Sequence, residues 1–259
     1  MNKILFLFDV DGTLTESSAI ICDSMKNKLK DLIKNNIDIG IVGGGKLDKI
    51  LLQMGDDLYF KHYFTECGCI YNKNELYPYN IKLKEIYCKN IREHKLYPQI
   101  NILIKESLKY LSNVDYTLTG NFIDLRSGII YISPIGMSAN NDERKYFIEL
   151  NNKYKYKEKL LELLLNKAEE LKIIQEIDIV EGGSVGIAIY PKEYDKVQVV
   201  DSLINNYDTI HYFGDKYLKN GNDYNLLHHR NIRGHRVDNY NDTIDIINIV
   251  KKFLSDSKP

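Results

Sequence analysis

The segment Leu5-Phe6-Leu7-Phe8-Asp9-Val10-Asp11-Gly12-Thr13-Leu14-Thr15 constrains this chain more than any other. Its apolar run reads as a buried strand, and two carboxylates stand one residue apart at the strand's C-terminal end. On an extended strand, residues i and i+2 share a face, so Asp9 and Asp11 can point into one pocket while Val10 points back into the core. Gly12 then lets the chain turn sharply. Two close carboxylates repel unless a cation or a shared proton intervenes, so the pair implies a bound divalent metal or one raised pKa. A strand ending in a solvated Asp-Gly turn is the simpler alternative. The joint occurrence of the strand, both aspartates and Gly-Thr favours a functional pair.

After this strand the first third of the chain alternates apolar strands with amphipathic helices. Strands are expected over residues 4–9, 37–42 and 59–64, and helices over 23–35 and 47–54. This βαβαβ pattern is that of a parallel sheet with helical crossovers. It resumes late, with a helix over 195–205, strands over 209–213 and 235–237, and a closing helix over 242–254. Between these stretches the character changes. Residues 121–126 and 129–133 flank Ser127-Gly128, and residues 177–181 and 185–190 flank a second glycine turn, so two antiparallel hairpins are expected. The leucine-rich stretch 142–173 reads as one or two helices covering that sheet. The fold class is therefore α/β: a Rossmann-like parallel-sheet core interrupted by an inserted α/β cap with an antiparallel sheet. The expected division is 1–80 for the first part of the core, 81–192 for the cap and 193–259 for the rest of the core, with the active site in the cleft between them.

Composition narrows the class. Among 259 residues, 44% are apolar, enough for a sizeable core. Thirty-five basic and thirty-six acidic side chains leave a net charge of −1, which offers no general field for nucleic acid or an anionic membrane. The apolar runs fall far short of the ~20 residues that span a bilayer. Asp9 comes too early for a signal peptide, so a cytoplasmic protein is expected. Cys22, Cys67, Cys69 and Cys88 have no framework spacing, and reduced thiols are expected. His228, His229 and His235 lie near loops and an edge strand, where solvated or hydrogen-bonded roles are expected.

Three further stretches fit phosphoryl chemistry. Gly43-Gly44-Gly45 follows a strand and precedes a helix, so its amides can cradle a phosphate. Gly214-Asp215-Lys216, directly after an apolar strand, delivers another carboxylate at a strand's C-terminal end. Asn222 and Asp223 follow Gly221 in a loop that also reads as an ordinary polar turn.

The first of these motifs resembles that of the haloacid dehalogenase-like phosphotransferases. With Gly40-Ile41-Val42-Gly43-Gly44, Ser133-Pro134-Ile135-Gly136, Tyr194-Asp195-Lys196, Tyr212-Phe213-Gly214-Asp215-Lys216 and Gly221-Asn222-Asp223, nearly the whole chain resembles the eukaryotic-type phosphomannomutase family. The resemblance implies that Asp9 is the nucleophile that forms an aspartyl-phosphate, that Asp11 is the general acid and base, and that Lys196 neutralises phosphate charge and bridges to Asp9. It implies Mg²⁺ held by Asp9, the Asp11 carbonyl and Asp215, with Asp223 and Asn222 supporting the metal shell and phosphoryl contacts. Gly44 and Gly45 would contact the transferring phosphate, and Arg126 would grip a distal one. Further implications are a sugar phosphate substrate, a hexose bisphosphate activator, a place in GDP-mannose biosynthesis and a homodimer formed through the cap.

The chain also departs from that family. Gly45 stands where the family has a serine, a lost donor worth on the order of 3 kcal/mol in the barrier. Thr119, Met137 and Ser18 replace arginines, Gly186 and Ala188 replace a serine and an aspartate, and Cys67 replaces an asparagine. Each lost arginine–phosphate contact is worth ~1.5–3 kcal/mol. A phosphomannomutase is therefore the leading reading, with a phosphatase of altered substrate and a non-catalytic paralogue as the alternatives.

Overall fold

The structure is a computed structural model that describes residues 2–182, 185–219 and 221–256. In chain order the elements are β1 (Ile4–Phe8), α1 (Asp23–Lys34), β2 (Asp38–Val42), α2 (Leu47–Met54), β3 (His62–Thr65), β4 (Ile70–Asn74) and β5 (Leu83–Cys88). Then come α3 (Tyr97–Leu111), β6 (Ile123–Leu125), β7 (Ile130–Ile132), α4 (Asn141–Tyr154), α5 (Tyr156–Glu170), β8 (Ile177–Gly182) and β9 (Gly186–Pro191). The chain closes with α6 (Val200–Leu203), β10 (Thr209–Gly214), α7 (Tyr224–Leu227), β11 (Arg233–Arg236) and α8 (Tyr240–Asp256).

The chain divides into two compact units, residues 1–88 with 195–259, and residues 89–194. Residues 81–88, expected in the insertion, lie in the first unit because β5 pairs along β4 at the edge of its sheet. Neither β4 nor β5 was anticipated. Their sequences, Ile70-Tyr71-Asn72-Lys73-Asn74 and Leu83-Lys84-Glu85-Ile86-Tyr87-Cys88, carry too many polar residues to stand out as strands.

The first unit holds a seven-stranded sheet of order β11-β10-β1-β2-β3-β4-β5, in which β11, β10, β1, β2 and β3 run parallel. Strand alternation sorts its side chains into two cores. Phe6, Phe8, Ile39, Ile41 and Phe213 pack with Met25 and Leu29 of α1 and Ile247 of α8 on one face. Leu5, Leu7, Val42, Ile210 and Tyr212 pack with Val199, Val200, Leu203 and Leu226 on the other. Both faces being covered explains why β1 is apolar at every position. The helix expected over 195–205 is present as a tight 3₁₀ turn, Lys196–Val199, running into α6. Strand order reverses around β1, between β10 and β2, so the crevice beyond the C-terminal ends of β1 and β10 is the topological switch point of this sheet.

The second unit holds an antiparallel sheet of order β6-β7-β9-β8. Both expected hairpins are present, although Gly183 and Ser184 of the second glycine turn lie outside the described residues. Two helices fill the leucine-rich stretch. The Asn140 side chain accepts from the Asp142 and Glu143 amides, while Glu143 accepts from the Asn140 amide, and this reciprocal cap starts α4. Lys155, left-handed at φ 59°, ends it and lets α5 begin. Leu160, Leu164 and Ala168 of α5 are fully buried, and α5 packs on β8, β9 and α3. Helix α3 was not expected from the sequence.

A buried polar chain stitches the first sheet on one of its faces. Tyr207 donates to Asp38 at 2.9 Å, so it accepts from His62 Nε2 at 2.7 Å, and His62 Nδ1 in turn accepts from Tyr71 at 2.7 Å. Burial holds the His62 imidazole down at about 3, and His211 and His235 are lowered for the same reason. A folded-state pKa below the unfolded value means stability that is complete above the unfolded value of about 6.5 and lost as pH falls toward 3. The urea midpoint should therefore fall from pH 7 to pH 5. His62→Gln should flatten that slope by up to ~1.4 kcal/mol per pH unit, which parallel titrations of parent and variant would read.

Candidate active site

Parallel register builds the site. Phe8 pairs with Phe213, and the Asp9 amide extends the ladder by donating to the Phe213 carbonyl at 2.9 Å. Asp9 and Asp215 are thereby delivered from neighbouring strand ends. Beyond Phe8 the chain coils, with the amides of Leu14 and Thr15 returning to the Val10 carbonyl at 2.9 and 3.1 Å. Gly12 takes φ 92° there, and a side chain on it would come within 2.4 Å of Asp215.

This coil corrects the expectation that Asp9 and Asp11 share one pocket by strand alternation, because the strand ends before either. The two carboxylates go to different partners. Asp9, nine-tenths buried, accepts from Lys196 Nζ at 2.5 Å. Asp11 accepts from the Ser18 amide at 2.7 Å, Gln53 Nε2 at 2.9 Å and Lys49 Nζ at 3.1 Å. Val10 lies in the core as expected.

Lys196 is the centre of the buried set. Its ammonium is wholly inaccessible and reaches Asp223 at 2.6 Å as well as Asp9. Burial works against its charge, yet Asp223 and Asp9 together raise it well above the ordinary lysine range. Asp223 accepts in addition from Tyr212 and, at 2.9 Å, from the Lys216 amide. For Asp223 the cost of burial is outweighed by Lys196 and these donors, and its carboxyl is lowered. For Asp9 burial dominates over the pull of Lys196, the charges of Asp223 and Asp215 add to it, and the carboxyl is lifted to about 7. Asp215 is also raised by burial, against the pull of Lys216, with which it pairs.

One oxygen each of Asp9, Asp215 and Asp223 fall within 4.8 Å of one another. Oδ1 of Asp215 and Oδ1 of Asn222 are buried and have no hydrogen-bond partner. Clustered carboxylates with an orphaned oxygen suit a hard divalent cation, so the residues present fit one. The Asp11 carboxylate is outside this set. Gly44 and Gly45 sit in a loop held by the Cys67 amide on the Gly43 carbonyl at 2.9 Å and the Glu66 amide on the Gly45 carbonyl at 3.1 Å. All four cysteines are free thiols, and burial pushes Cys67 up to about 12.

Arg126 belongs to the second unit, where Nε donates to Asp124 at 2.7 Å and the guanidinium lies over the Tyr131 ring. Thr119, in the same unit, donates to the Ile135 carbonyl at 2.8 Å. Lys49, Gln53 and Arg144 were missed by sequence reasoning. Gln53 had a signal, being a polar residue on the buried face of an amphipathic helix, one turn from Lys49. Arg144, anchored on the Ala139 and Met137 carbonyls at 3.0 and 3.2 Å, looked like any charge on a solvated helix.

The family model for eukaryotic phosphomannomutase matches residues 25–253. The chain belongs to the eukaryotic phosphomannomutase family. Phosphomannomutase of Encephalitozoon cuniculi is 32% identical over 246 residues, covering 93% of this chain and 91% of that one. A probable phosphomannomutase of Caenorhabditis elegans is 32% identical, covering 98% and 97%. Solved structures share the fold at low identity. The C-terminal domain of the Candida albicans trehalose-6-phosphate phosphatase superposes with a TM-score of 0.62 at 16% identity, covering 97% of this chain and 93% of that one. Plasmodium falciparum IMP-nucleotidase does so with a TM-score of 0.65 at 16% identity, covering 96% and 63%. The protein is thus a phosphomannomutase-family enzyme on a haloacid dehalogenase-type fold.

Removing the central cation leaves two buried carboxylates uncompensated. Lys196→Met should destabilise the first unit by about 3–5 kcal/mol, and Asp223→Asn in the same chain should restore part of that loss. Urea denaturation of the single and double variants would measure both.

Proposed function

We propose that this enzyme transfers a phosphoryl group between the two ends of a hexose phosphate, interconverting mannose 6-phosphate and mannose 1-phosphate, through an aspartyl-phosphate on Asp9. The observation that carries this reading is the buried Asp9–Lys196–Asp223 arrangement beside Asp215. Asp9 attacks phosphorus as its ester bond to the leaving oxygen breaks, and Asp11 gives that oxygen a proton. In the second half-reaction Asp11 takes the proton of an incoming hydroxyl, which attacks the phosphoryl group and frees Asp9. Lys196 works against the burial that raises Asp9 and so favours its ionised, attacking form, and Asp223 keeps Lys196 in place. Lys49, Gln53 and the Ser18 amide fix the Asp11 carboxylate. The amides of Gly44 and Gly45 receive phosphate oxygens, with Asn222 beside the metal-capable set. Arg126 and Arg144 take the non-reacting phosphate.

Mg²⁺ is the cation that suits Asp9, Asp215 and the Asp11 carbonyl, with Asp223 acting chiefly through Lys196; when bound it supplies charge neutralisation at the phosphoryl group. A hexose bisphosphate serves as activator by charging Asp9. The enzyme works in the cytoplasm as a homodimer formed through the second unit and feeds GDP-mannose synthesis. Among the described residues no helix is long and apolar enough to cross a membrane.

A second reading, a sugar phosphatase, draws support from the second unit. Thr119 spends its hydroxyl on the Ile135 carbonyl, Gly186 and Ala188 bring no polar side chain, and Arg126 and Arg144 are left as the anion-binding pair. Water then replaces the sugar hydroxyl as the second acceptor.

Incubation with Mg²⁺, mannose 1-phosphate and a hexose 1,6-bisphosphate distinguishes the readings. Formation of 6-phosphate without free phosphate supports the mutase, free phosphate alone supports the phosphatase, and neither across a panel of sugar phosphates overturns both. Asp9→Asn, or chelation of the metal, should abolish every product. Gln53→Leu should lower kcat by roughly 10–100-fold with KM little changed, since it loosens Asp11 and touches no substrate. Steady-state kinetics would show that split.

A further inference from the structure

The segment between β3 and β4 is built against the ordinary preference of its backbone. Glu66, Cys67 and Gly68 take φ 50°, 58° and 87° in succession. A left-handed backbone suits glycine and is disfavoured by a Cβ, yet the first two of these residues carry side chains. Such strain persists where the surroundings impose it. Here it turns two successive amides onto the glycine loop that follows β2: Glu66 donates to the Gly45 carbonyl at 3.1 Å and Cys67 to the Gly43 carbonyl at 2.9 Å.

The same segment also meets the turn that carries Lys196. The Cys67 carbonyl accepts from Gln198 Nε2 at 2.9 Å, and that nitrogen stands 3.5 Å from Cys69 Sγ. At Gly68 a Cβ would come within 2.4 Å of Val199 Cγ1, so the two segments touch at a glycine. Cys67 thus gives its amide to the glycine loop and its carbonyl to the 3₁₀ turn Lys196–Val199. A second tie runs from that turn to the segment of Asp223, where Asp195 accepts from Asn225. Gln198 is kept at a cost. Its Oε1 is buried and has no hydrogen-bond partner among the described residues, which offsets what the bond to Cys67 contributes to folding. Lys196, by contrast, needs placing: its ammonium ends a flexible four-carbon stem and must meet Asp9 at 2.5 Å and Asp223 at 2.6 Å.

We propose that Gln198 is a positioning residue for the phosphoryl transfer: through the left-handed segment it fixes the lysine turn against the glycine loop, so that the Lys196 ammonium and the loop's amides meet one phosphoryl group together. This rests on the reading that Asp9 takes up the phosphoryl group and that the Gly44 and Gly45 amides receive its oxygens. Gln198 acts through Cys67 and through the turn it belongs to, and takes no part in bond making.

Gln198→Met, which keeps the length and removes both polar atoms, tests it in the full chain with Mg²⁺ and acetyl phosphate as the phosphoryl donor. The kcat should fall at least about fivefold while KM stays within about threefold. The unfolding equilibrium constant in urea should stay within about fivefold of the parent, because the lost bond and the relieved oxygen offset each other. A side chain that merely held the fold would lose stability and activity together. In a stability cycle, Gln198→Met and Lys196→Met should couple by at least about fivefold. Should Lys196→Met not fold, the cycle is run in the Asp223→Asn background, which restores part of its stability. A smaller fall in kcat, a larger change in KM, a variant that loses more stability than this or does not fold, or independent effects in the cycle overturns the proposal. A parent that turns over neither acetyl phosphate nor a hexose phosphate, or turnover that survives Asp9→Asn, overturns the transfer reading instead, and the stability cycle then decides by itself whether Gln198 seats Lys196.

Discussion

The first unit is organised around one buried ammonium. Lys196 has no access to solvent, and an isolated cation there would be untenable, so Asp9 and Asp223 must stay within hydrogen-bond reach. That requirement couples three distant parts of the chain: the end of β1, the 3₁₀ turn before α6, and the loop after β10. It also fixes electrostatics. With two carboxylates sharing one lysine, Asp223 takes extra donors from Tyr212 and Lys216 and is lowered, while Asp9 does not and is raised. The unequal sharing leaves the exposed-side carboxylate the one short of positive charge, which is where a phosphoryl group or a divalent cation is useful.

The same arrangement explains the sheet's strand order. Parallel pairing of β10 with β1 in register Phe8 to Phe213 puts Asp215 beside Asp9 without any long loop. Asp11 is then left to a different structure, the coil of residues 10–15 and the face of α2 that carries Lys49 and Gln53. Asp9 and Asp11 are separated by their partners, although only one residue lies between them in sequence. Burial raises Asp9, whereas at Asp11 burial is outweighed by the Ser18 amide, Gln53 and Lys49 and the carboxyl is lowered.

In the second unit the family's activity meets a changed surface. The Arg126 guanidinium lies over the Tyr131 ring, and that ring lies where side chains at 182 and 186 would have to stand.

The sequence by itself determined the α/β class, the places of β1, β2, α2 and β10, and the identity of Asp9, Asp215 and Asp223 as candidates. Those rest on local patterns: apolar runs, glycines after strands, and carboxylates at strand ends. It could not place β4, β5 or α3, whose patterns are too polar or too weak without their packing partners. The burial of Lys196, the diversion of Asp11 to Ser18, Lys49 and Gln53, and the seating of Tyr131 over Gly182 and Gly186 were decided only by the tertiary structure. Each is a contact between residues far apart in the chain, and the strength of a charge or the room for a ring is set by neighbours that no single segment contains.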